Sequence, residues 1–385
     1  MHTEFADSAW QKRQISNDYD LTVVGAGLFG SIVAYEASQR GLKVLVVERR
    51  DHIGGNCYTT NIDGIIVHQY GAHVFRTSDP NVLSFVTQFA PLNNFVNSPI
   101  ANFHGRLFNL PFNMNTFYEL WGTVTPSEVA AKLDEQRVAY DHPANLEEHM
   151  LALVGRDIYE ILVKGYTEKQ WGHPCNELPS SIIRRVPLRF TFDNNYYNDT
   201  FQGVPIGGYT PIFKKLLERC DVHLGVDYLE HRAELNGQTR RLLYTGALDA
   251  FFDYRFGPLE YRGLRFEHER FPMSNYQGVA VMNFTDNETP YTRVIEHKHF
   301  DFARSAFDFS IVTHEYPQAW KPGLDPYYPM EDQTNRIRFH QYAALAVNET
   351  ATWFGGRLAD YHYNDMQETI RSALVSADVW LDTLE

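Results

Sequence analysis

Three glycines and one acid near the start of the chain have the types and spacing that hold a pyrophosphate. The turn Gly25-Ala-Gly27-Leu-Phe29-Gly30 precedes a helical pattern, and Glu48 follows it. In such a turn the first glycine permits a tight bend, the second lets the backbone approach phosphate, and the third lets the helix pack on its strands. The N-terminus of that helix offers unpaired N–H groups and a positive dipole to an anion. The pattern predicts a dinucleotide site, with Glu48 placed to bind ribose hydroxyls.

A run of arginines is the second candidate for phosphate chemistry. Arg184, Arg185 and Arg189 lie in an otherwise apolar stretch. The chain carries a net charge of −14, which opposes binding to nucleic acid or anionic lipid, so an anionic ligand must meet a local group of cations. A guanidinium pairs bidentately with phosphate oxygens, which favours a diphosphate clamp. Arginines in surface ion pairs are the alternative, and the residues alone leave both open.

Histidines and aromatic residues supply further candidates. His73 follows Gly71 and Ala72, where small residues permit close approach to a ligand, whereas His68 is interpreted as a structural hydrogen-bonding residue. Tyr166 and Trp171 could face a sugar or a base, with packing in a core as the alternative.

An amide-rich loop contains Phe112 and Asn113. Asparagine caps helices and tolerates unusual backbone angles, so turn chemistry and a ligand-facing role both remain open for this loop.

The elements that must place the glycine turn follow one another in the required order. Residues 20–24 form a short β-branched apolar run, residues 31–40 have a helical pattern, and residues 43–48 form a second apolar run. Strand, glycine turn, helix, strand and acid within about 30 residues predict a Rossmann-like βαβ unit.

The residues after Glu48 indicate which dinucleotide is bound. A second glycine turn, with Arg49, Gly55 and Asn56, gives an ERRxxxGG continuation that resembles FAD-binding proteins of the glutathione-reductase-like class. No second GxGxxG follows, so we expect FAD and no separate NAD(P)H domain.

Length and composition limit the remaining choices. A chain of 385 residues exceeds one ordinary core, and its apolar fraction of 44% is typical of a soluble globular protein. Residues 1–17 are polar, and no apolar run is long enough for a signal sequence or a membrane span. Cys57, Cys175 and Cys220 have no metal-binding spacing and cannot all pair, so we expect no metal site and a cytoplasmic location.

Apolar periodicity predicts an α/β fold in three parts. Helical periods dominate between residues 81 and 177, and strand-like alternation appears at 264–271, 278–284 and 291–297. We predict a discontinuous Rossmann-like FAD-binding domain, a helical insert domain with a mobile lid, and an antiparallel β-sheet domain. Their expected bounds are, in that order, 18–82 with 205–250 and 340–385, then 83–188, then 189–204 with 251–339.

Stretches along the whole chain after residue 17 resemble the bacterial UDP-galactopyranose mutase family. The departures from the common pattern are residues 1–17 and His173-Pro174-Cys175. The matching stretches are GAGLFG at Gly25, IGGN at Ile53, YGAHVF at Tyr70, LFNLPFNMNTF at Leu107, KGYTEKQWG at Lys164, RFTFDNNYY at Arg189, PYTRVIEHKHF at Pro290 and FGGRLADYHYNDM at Phe354.

The resemblance implies a flavoenzyme that interconverts UDP-galactopyranose and UDP-galactofuranose with reduced FAD and no net redox change. In the family mechanism flavin N5 attacks the anomeric carbon and displaces UDP. The covalent flavin–galactose adduct opens to an iminium, the ring recloses through another hydroxyl, and UDP returns to the anomeric carbon and expels the flavin. Because the cofactor carries the chemistry, no Ser-His-Asp set is expected. The resemblance also implies a homodimer, and NAD(P)H or another external donor as reductant.

The resemblance assigns roles by motif. Arg185 and Arg293 match the arginines that grip the diphosphate, and with His73 they form the expected catalytic set. A lid that excludes water is expected within residues 171–187. The expected substrate-binding residues are Phe112, Asn113, Tyr166, Trp171, Arg185, Tyr196, Arg293, Tyr328 and Tyr363. The expected FAD-binding residues are Gly25, Gly27, Phe29, Gly30, Glu48, Arg49, Gly55, Asn56, His73, Gly356, Arg357, Asp365 and Met366.

Two other functions fit parts of this pattern. A flavin amine oxidase would share the FAD elements but would not need Arg185 and Arg293 at a diphosphate. A non-catalytic nucleotide-sugar binder would bind UDP equally well in either redox state of the flavin and would isomerise nothing.

Overall fold

A computed structural model describes residues 19–183, 188–301 and 307–384. Arg184 and Arg185 of the predicted diphosphate clamp, and the end of the predicted lid, lie outside these ranges. Among the described residues no helix is long and apolar enough to cross a membrane.

Short strands and helices alternate along most of the chain. The strands are β1 (Tyr19–Val24), β2 (Val44–Glu48), β3 (Thr59–Ile62), β4 (Ile65–His68), β5 (Phe75–Thr77), β6 (Ile100–Phe103), β7 (Arg106–Asn109), β8 (Phe201–Gly203), β9 (Asp221–Leu224), β10 (Thr239–Tyr244), β11 (Tyr261–Phe271), β12 (Val281–Phe284), β13 (Arg293–Glu296), β14 (Ser310–Ala319), β15 (Tyr328–Pro329) and β16 (Thr352–Phe354). The helices are α1 (Leu28–Gln39), α2 (Pro80–Thr87), α3 (Met114–Trp121), α4 (Pro126–Gln136), α5 (Leu146–Val154), α6 (Arg156–Ile158), α7 (Gly165–Trp171), α8 (Thr210–Leu216), α9 (Arg232–Asn236), α10 (Leu248–Phe251), α11 (Gln333–Ala346) and α12 (Met366–Leu381).

A parallel sheet carries the predicted dinucleotide site. Its strand order is β16-β10-β1-β2-β9, and each neighbouring pair is parallel. Every residue of β2 is buried, as a strand covered on both faces requires. Helices α1 and α12 pack on this sheet through Ile32, Val33, Ile370 and Ala373. Because its strands come from three separate parts of the chain, the predicted discontinuous Rossmann-like fold is confirmed.

A second sheet has the order β15-β11-β14-β13-β12-β6-β7. Its pairs are antiparallel except for β12 and β6, which are parallel. The predicted separate antiparallel sheet is confirmed, with this one parallel pair added. The hairpin of β6 and β7 lies within 83–188, the range predicted for the helical insert domain, between the predicted helical periods. These two strands are short and are joined by a tight turn at His104 and Gly105, both with positive φ, so they leave little alternation to detect.

The helices between α3 and α7 form a separate core around Phe117, Met150 and Tyr159. At the start of α4, Thr125 and Glu128 form a reciprocal capping box, with Pro126 as the first helical residue. A π-helical turn, Tyr159–Lys164, connects α6 to α7 and rotates the following residues relative to a regular helix.

Glu296 holds the end of β13, the strand that begins with Arg293. Its fully buried carboxylate accepts hydrogen bonds from the backbone N–H groups of Tyr276 and Gln277, both at 2.9 Å, and from Ser310 Oγ at 2.6 Å. Burial opposes the charge, but hydrogen bonds from His299, Ser310 and the backbone outweigh it and hold the pKa of Glu296 at about 2.

We predict that Glu296→Gln destabilises the protein at pH 7 by about 2–3 kcal/mol, because the carboxylate is bound more tightly in the folded state than in the unfolded one. Since the folded pKa lies below the unfolded value, this stability is complete above about pH 4.5. It is lost as the pH falls towards 2. Urea unfolding at several pH values measures it, with the exposed Glu135→Gln as control. A Gln variant with wild-type stability at pH 7 would contradict the account.

Candidate active site

A cavity of about 1920 Å³ brings the predicted site residues together. Every one of them lines it except Asn113, and Arg185, which lies outside the described residues. The carboxyl ends of β1, β2 and β10 form one wall, which is where open parallel sheets bind ligands. Pockets for one small molecule usually measure roughly 300–1,000 Å³, so this cavity has room for two ligands side by side.

The first glycine turn has the geometry that a pyrophosphate needs. Gly25 has a φ of +104°, and a Cβ there would lie 2.2 Å from Thr245 Oγ1. A Cβ on Gly30 would lie 2.2 Å from the Gly25 carbonyl oxygen. Gly27 precedes α1, has no side chain to cap the helix, and faces open space, with its nearest neighbour 4.0 Å from a Cβ. The first N–H groups of α1 are therefore available to an anion.

Glu48 joins the two glycine turns. Its Oε2 accepts from the Ala26 N–H at 2.9 Å and its Oε1 accepts from the Arg50 N–H at 3.0 Å. A Cβ on Gly55 would lie 2.9 Å from the Gly27 Cα, so the turns touch. The carboxylate thus fixes this end of the cavity in addition to its predicted ribose contact.

Asp325, which the sequence did not single out, holds the two arginines after Glu48. Arg49 and Arg50 both form ion pairs with its carboxylate, the second at 2.7 Å. Arg50 also donates to Asn56 Oδ1 at 3.1 Å. Both arginines and Asn56 line the cavity beside the second glycine turn.

A second helix N-terminus reaches the cavity near the end of the chain. Asp365 caps α12 by accepting from the Glu368 N–H at 2.9 Å, and its other oxygen accepts from Arg76 at 2.7 Å. Gly356 has a φ of +90°, and a Cβ there would lie 3.2 Å from Phe29. Phe29 therefore packs under this loop, while Arg357 and Met366 line the cavity.

His73 presents a neutral imidazole to the cavity. Its Nδ1 lies 2.8 Å from the Gly71 carbonyl oxygen, which can only accept, so Nδ1 carries the proton and Nε2 is an acceptor. Burial lowers the pKa of His73 to about 4. The ring is therefore uncharged at neutral pH.

Arg293 is the charged centre of the opposite half. Its Nη2 donates to the Tyr166 hydroxyl at 3.0 Å, and its Nε lies 3.5 Å from Glu315 Oε1, too poorly aligned for a hydrogen bond. Burial opposes the charge of Arg293, but Glu315, Tyr166 and Tyr328 outweigh it and hold its pKa above the ordinary value. Burial raises the pKa of Glu315, and Arg293 acts against that rise.

Sequence reasoning missed Glu315. Arg293 and Glu315 are direct partners across β13 and β14, so the sheet register sets their distance. Asn283, also missed, pairs with Arg293 on the other side and has a buried Oδ1 without a partner among the described residues. Only the strand pairing could have identified either residue.

Aromatic side chains complete the wall around Arg293. The rings of Trp171 and Tyr328 lie 6.1 Å apart, and those of Tyr328 and Tyr363 lie 5.5 Å apart. Burial raises the pKa of the Tyr328 hydroxyl, so it stays a neutral donor. Tyr196, which is 40% exposed, lies at the cavity edge.

Phe112 lines the cavity but Asn113 does not. Asn113 Oδ1 accepts from the N–H groups of Asn115 and Thr116, and its Nδ2 donates to Asp193 O and Asn194 Oδ1. The structure therefore places Asn113 as the cap of α3, in agreement with the turn-chemistry alternative.

We predict that Gly27→Ala and Gly30→Ala separate ligand binding from folding. Gly27→Ala should keep the thermal midpoint and lose bound flavin, because its methyl group enters space that a pyrophosphate would use. Gly30→Ala should unfold at a lower temperature, because its methyl group meets the Gly25 carbonyl. Flavin content and thermal unfolding measure the two effects. Full flavin content in Gly27→Ala would contradict the assignment.

Comparison with known proteins agrees with this geometry. Residues 161–363 match the family model described as UDP-galactopyranose mutase, and residues 23–89 match an NAD(P)-binding Rossmann-like domain. A probable UDP-galactopyranose mutase of Klebsiella pneumoniae is 37% identical over 96% of this chain and 96% of its own. A dTDP-fucopyranose mutase of Escherichia coli is 34% identical over 93% of this chain and 97% of its own.

The fold has a counterpart among solved structures. The crystal structure of a reduced UDP-galactopyranose mutase superposes with a TM-score of 0.71 and covers 95% of this chain and 96% of its own, at 15% identity. The likeness to that structure concerns the fold. The family match and the full-length relatives together show that this chain belongs to the UDP-galactopyranose mutase family of isomerases.

Proposed function

We propose that this protein interconverts UDP-galactopyranose and UDP-galactofuranose, with FAD in the glycine-lined half of the cavity and the nucleotide sugar against Arg293. The observation that carries the proposal is the continuity of the two halves. The glycine turns and the Arg293 cluster line one cavity, so a cofactor in the first half would adjoin a sugar in the second. The full-length relative in Klebsiella pneumoniae supports the choice of substrate.

The glycine-lined half fits FAD. Gly25, Gly27 and Gly55 have no Cβ, so the backbone there can approach a pyrophosphate closely. The carboxylate oxygens of Glu48 lie beside these glycines and would bind ribose. The chemistry that reduced FAD supplies when bound is the N5 nucleophile that displaces UDP from the anomeric carbon, with no net redox change. His73, Gly356 and Arg357 would orient the flavin ring.

Arg293 would hold the diphosphate while it leaves and returns. The protein carries a net charge of −14, so a diphosphate needs a local cation, and Arg293 is a half-buried one that lines the cavity. Glu315 keeps the guanidinium in place, and the Tyr166 hydroxyl accepts a hydrogen bond from Nη2 of Arg293. Tyr328 and Tyr363 would donate to phosphate oxygens, and Arg185 would be the second arginine of the clamp.

The aromatic wall would exclude water from the sugar. The rings of Trp171 and Tyr328 lie 6.1 Å apart and line the same cavity as Arg293. A dry site strengthens the ion pair with the diphosphate and protects reactive intermediates from hydrolysis. We propose closure by the segment after Trp171, and, on the resemblance alone, an external NAD(P)H-type reductant, a homodimer and a cytoplasmic location.

Product analysis tests the proposal. UDP-galactofuranose is incubated with the FAD-loaded protein, with and without dithionite, and the nucleotide sugars are separated by chromatography. We expect UDP-galactopyranose only after reduction. The dTDP-fucose pair is assayed in parallel, because the relative in Escherichia coli makes it the second candidate. Oxygen consumption with an amine, or no conversion of either pair by reduced protein, would contradict the proposal.

We predict that Arg293→Ala retains bound FAD but loses about 2–5 kcal/mol of transition-state stabilisation, because Glu315 is left buried without its partner and the diphosphate without its cation. Steady-state kinetics of the reduced enzyme measure the loss. The control is Arg240→Ala, an exposed arginine paired with Asp20 on the parallel sheet. Near-normal turnover in Arg293→Ala would rule out this role.

A further inference from the structure

The backbone of His73 is held on both sides by buried side chains. The His73 N–H donates to Nδ1 of His68 at 3.1 Å, and the Tyr209 hydroxyl donates to the His73 carbonyl oxygen at 3.1 Å. His68 is 1% exposed and Tyr209 is 4% exposed. Their rings pack edge to face with centroids 5.8 Å apart, so the two side chains also fix each other.

The hydrogen bonds determine the tautomer of each ring. Nδ1 of His68 accepts from a backbone N–H, so the proton of His68 is on Nε2. The backbone N–H of His68 in turn donates to Nδ1 of His297 at 3.3 Å, and Nε2 of His297 lies 2.6 Å from Thr313 Oγ1. The segment from His68 to His73 is therefore tied to β14 through a chain of neutral rings.

Packing alone does not account for a histidine at position 68. Its Nε2 is buried and has no hydrogen-bond partner among the described residues, which is unfavourable. Phe300 and Tyr209 surround the ring, so an apolar side chain would suit the site better for stability. Burial lowers the pKa of His68 to about 3, so the ring acts as a neutral acceptor. The one thing an apolar side chain lacks is that acceptor at Nδ1.

We propose that His68 and Tyr209 are positioning residues that fix the His73 peptide, and so aim the His73 imidazole at the reacting end of the cavity. Neither acts on the substrate directly. His73 lines the cavity, and its own Nδ1 is held by Gly71. With both its peptide and its ring fixed, Nε2 has one orientation, which preorganises the site. The inference rests on the proposed function for its catalytic consequence.

Three variants test it. His68→Leu removes the acceptor and the unpaired N–H, His68→Asn keeps an acceptor, Oδ1, at the same position along the side chain, and Tyr209→Phe removes only the hydroxyl. The control is Tyr342→Phe, which removes an equally buried hydroxyl that bonds the Gly257 carbonyl and does not line the cavity. The readouts are kcat and KM of the reduced enzyme, the flavin midpoint potential without substrate, and the thermal midpoint.

We expect His68→Leu and Tyr209→Phe to lower kcat on the order of 10-fold to 100-fold with little change in KM, and to shift the flavin potential. His68→Asn should restore most of kcat, and Tyr342→Phe should lower only the thermal midpoint. Unchanged kcat and potential in Tyr209→Phe would overturn the proposal even if His68→Leu does not fold. Because the potential is read without nucleotide sugar, a wild type that isomerises nothing would refute the proposed function and leave this test intact.

Discussion

The ion pair of Arg293 with Glu315 is the interaction on which the substrate half of the cavity depends. A guanidinium inside an acidic protein must remain charged and still be able to meet an anion. Glu315 satisfies the first need because strand register places it directly across from Arg293. The position of Arg293 on the cavity wall satisfies the second, since its side chain is 24% exposed there despite the ion pair. Removing Arg293 would leave the buried carboxylate of Glu315 without its partner.

The half proposed for the cofactor would meet its anion by a different physical route. It would rely on the backbone N–H groups at the uncapped N-terminus of α1, because Arg50, the half-buried cation beside them, is already paired with Asp325. The glycines keep Cβ atoms out of the space where backbone must approach backbone or phosphate. Under the proposed function, this division would let one cavity hold two anionic ligands in a protein with an overall negative charge, and it would keep Arg293 for the substrate.

The parts of this site that depend on local sequence could be predicted, and those that depend on strand pairing could not. Gly25, Gly27 and Gly30 act within one turn, so their spacing was sufficient. Glu315 and Asn283 reach Arg293 only through the register of β13 with its neighbours.

Short elements were also misjudged from the sequence. The hairpin of β6 and β7 went unrecognised inside the range predicted for the helical domain, because four-residue strands carry too little alternation. Asn113 was ambiguous because the same residue type caps helices and binds ligands. Its hydrogen bonds with Asn194 and Thr116 make it a helix cap.

The central claim is that one cavity holds both ligands, and a crystal structure of the protein with FAD and UDP tests it most directly. The account predicts the FAD pyrophosphate at Gly25–Gly30 and the UDP diphosphate against Arg293. UDP bound away from Arg293, or outside this cavity, would contradict it.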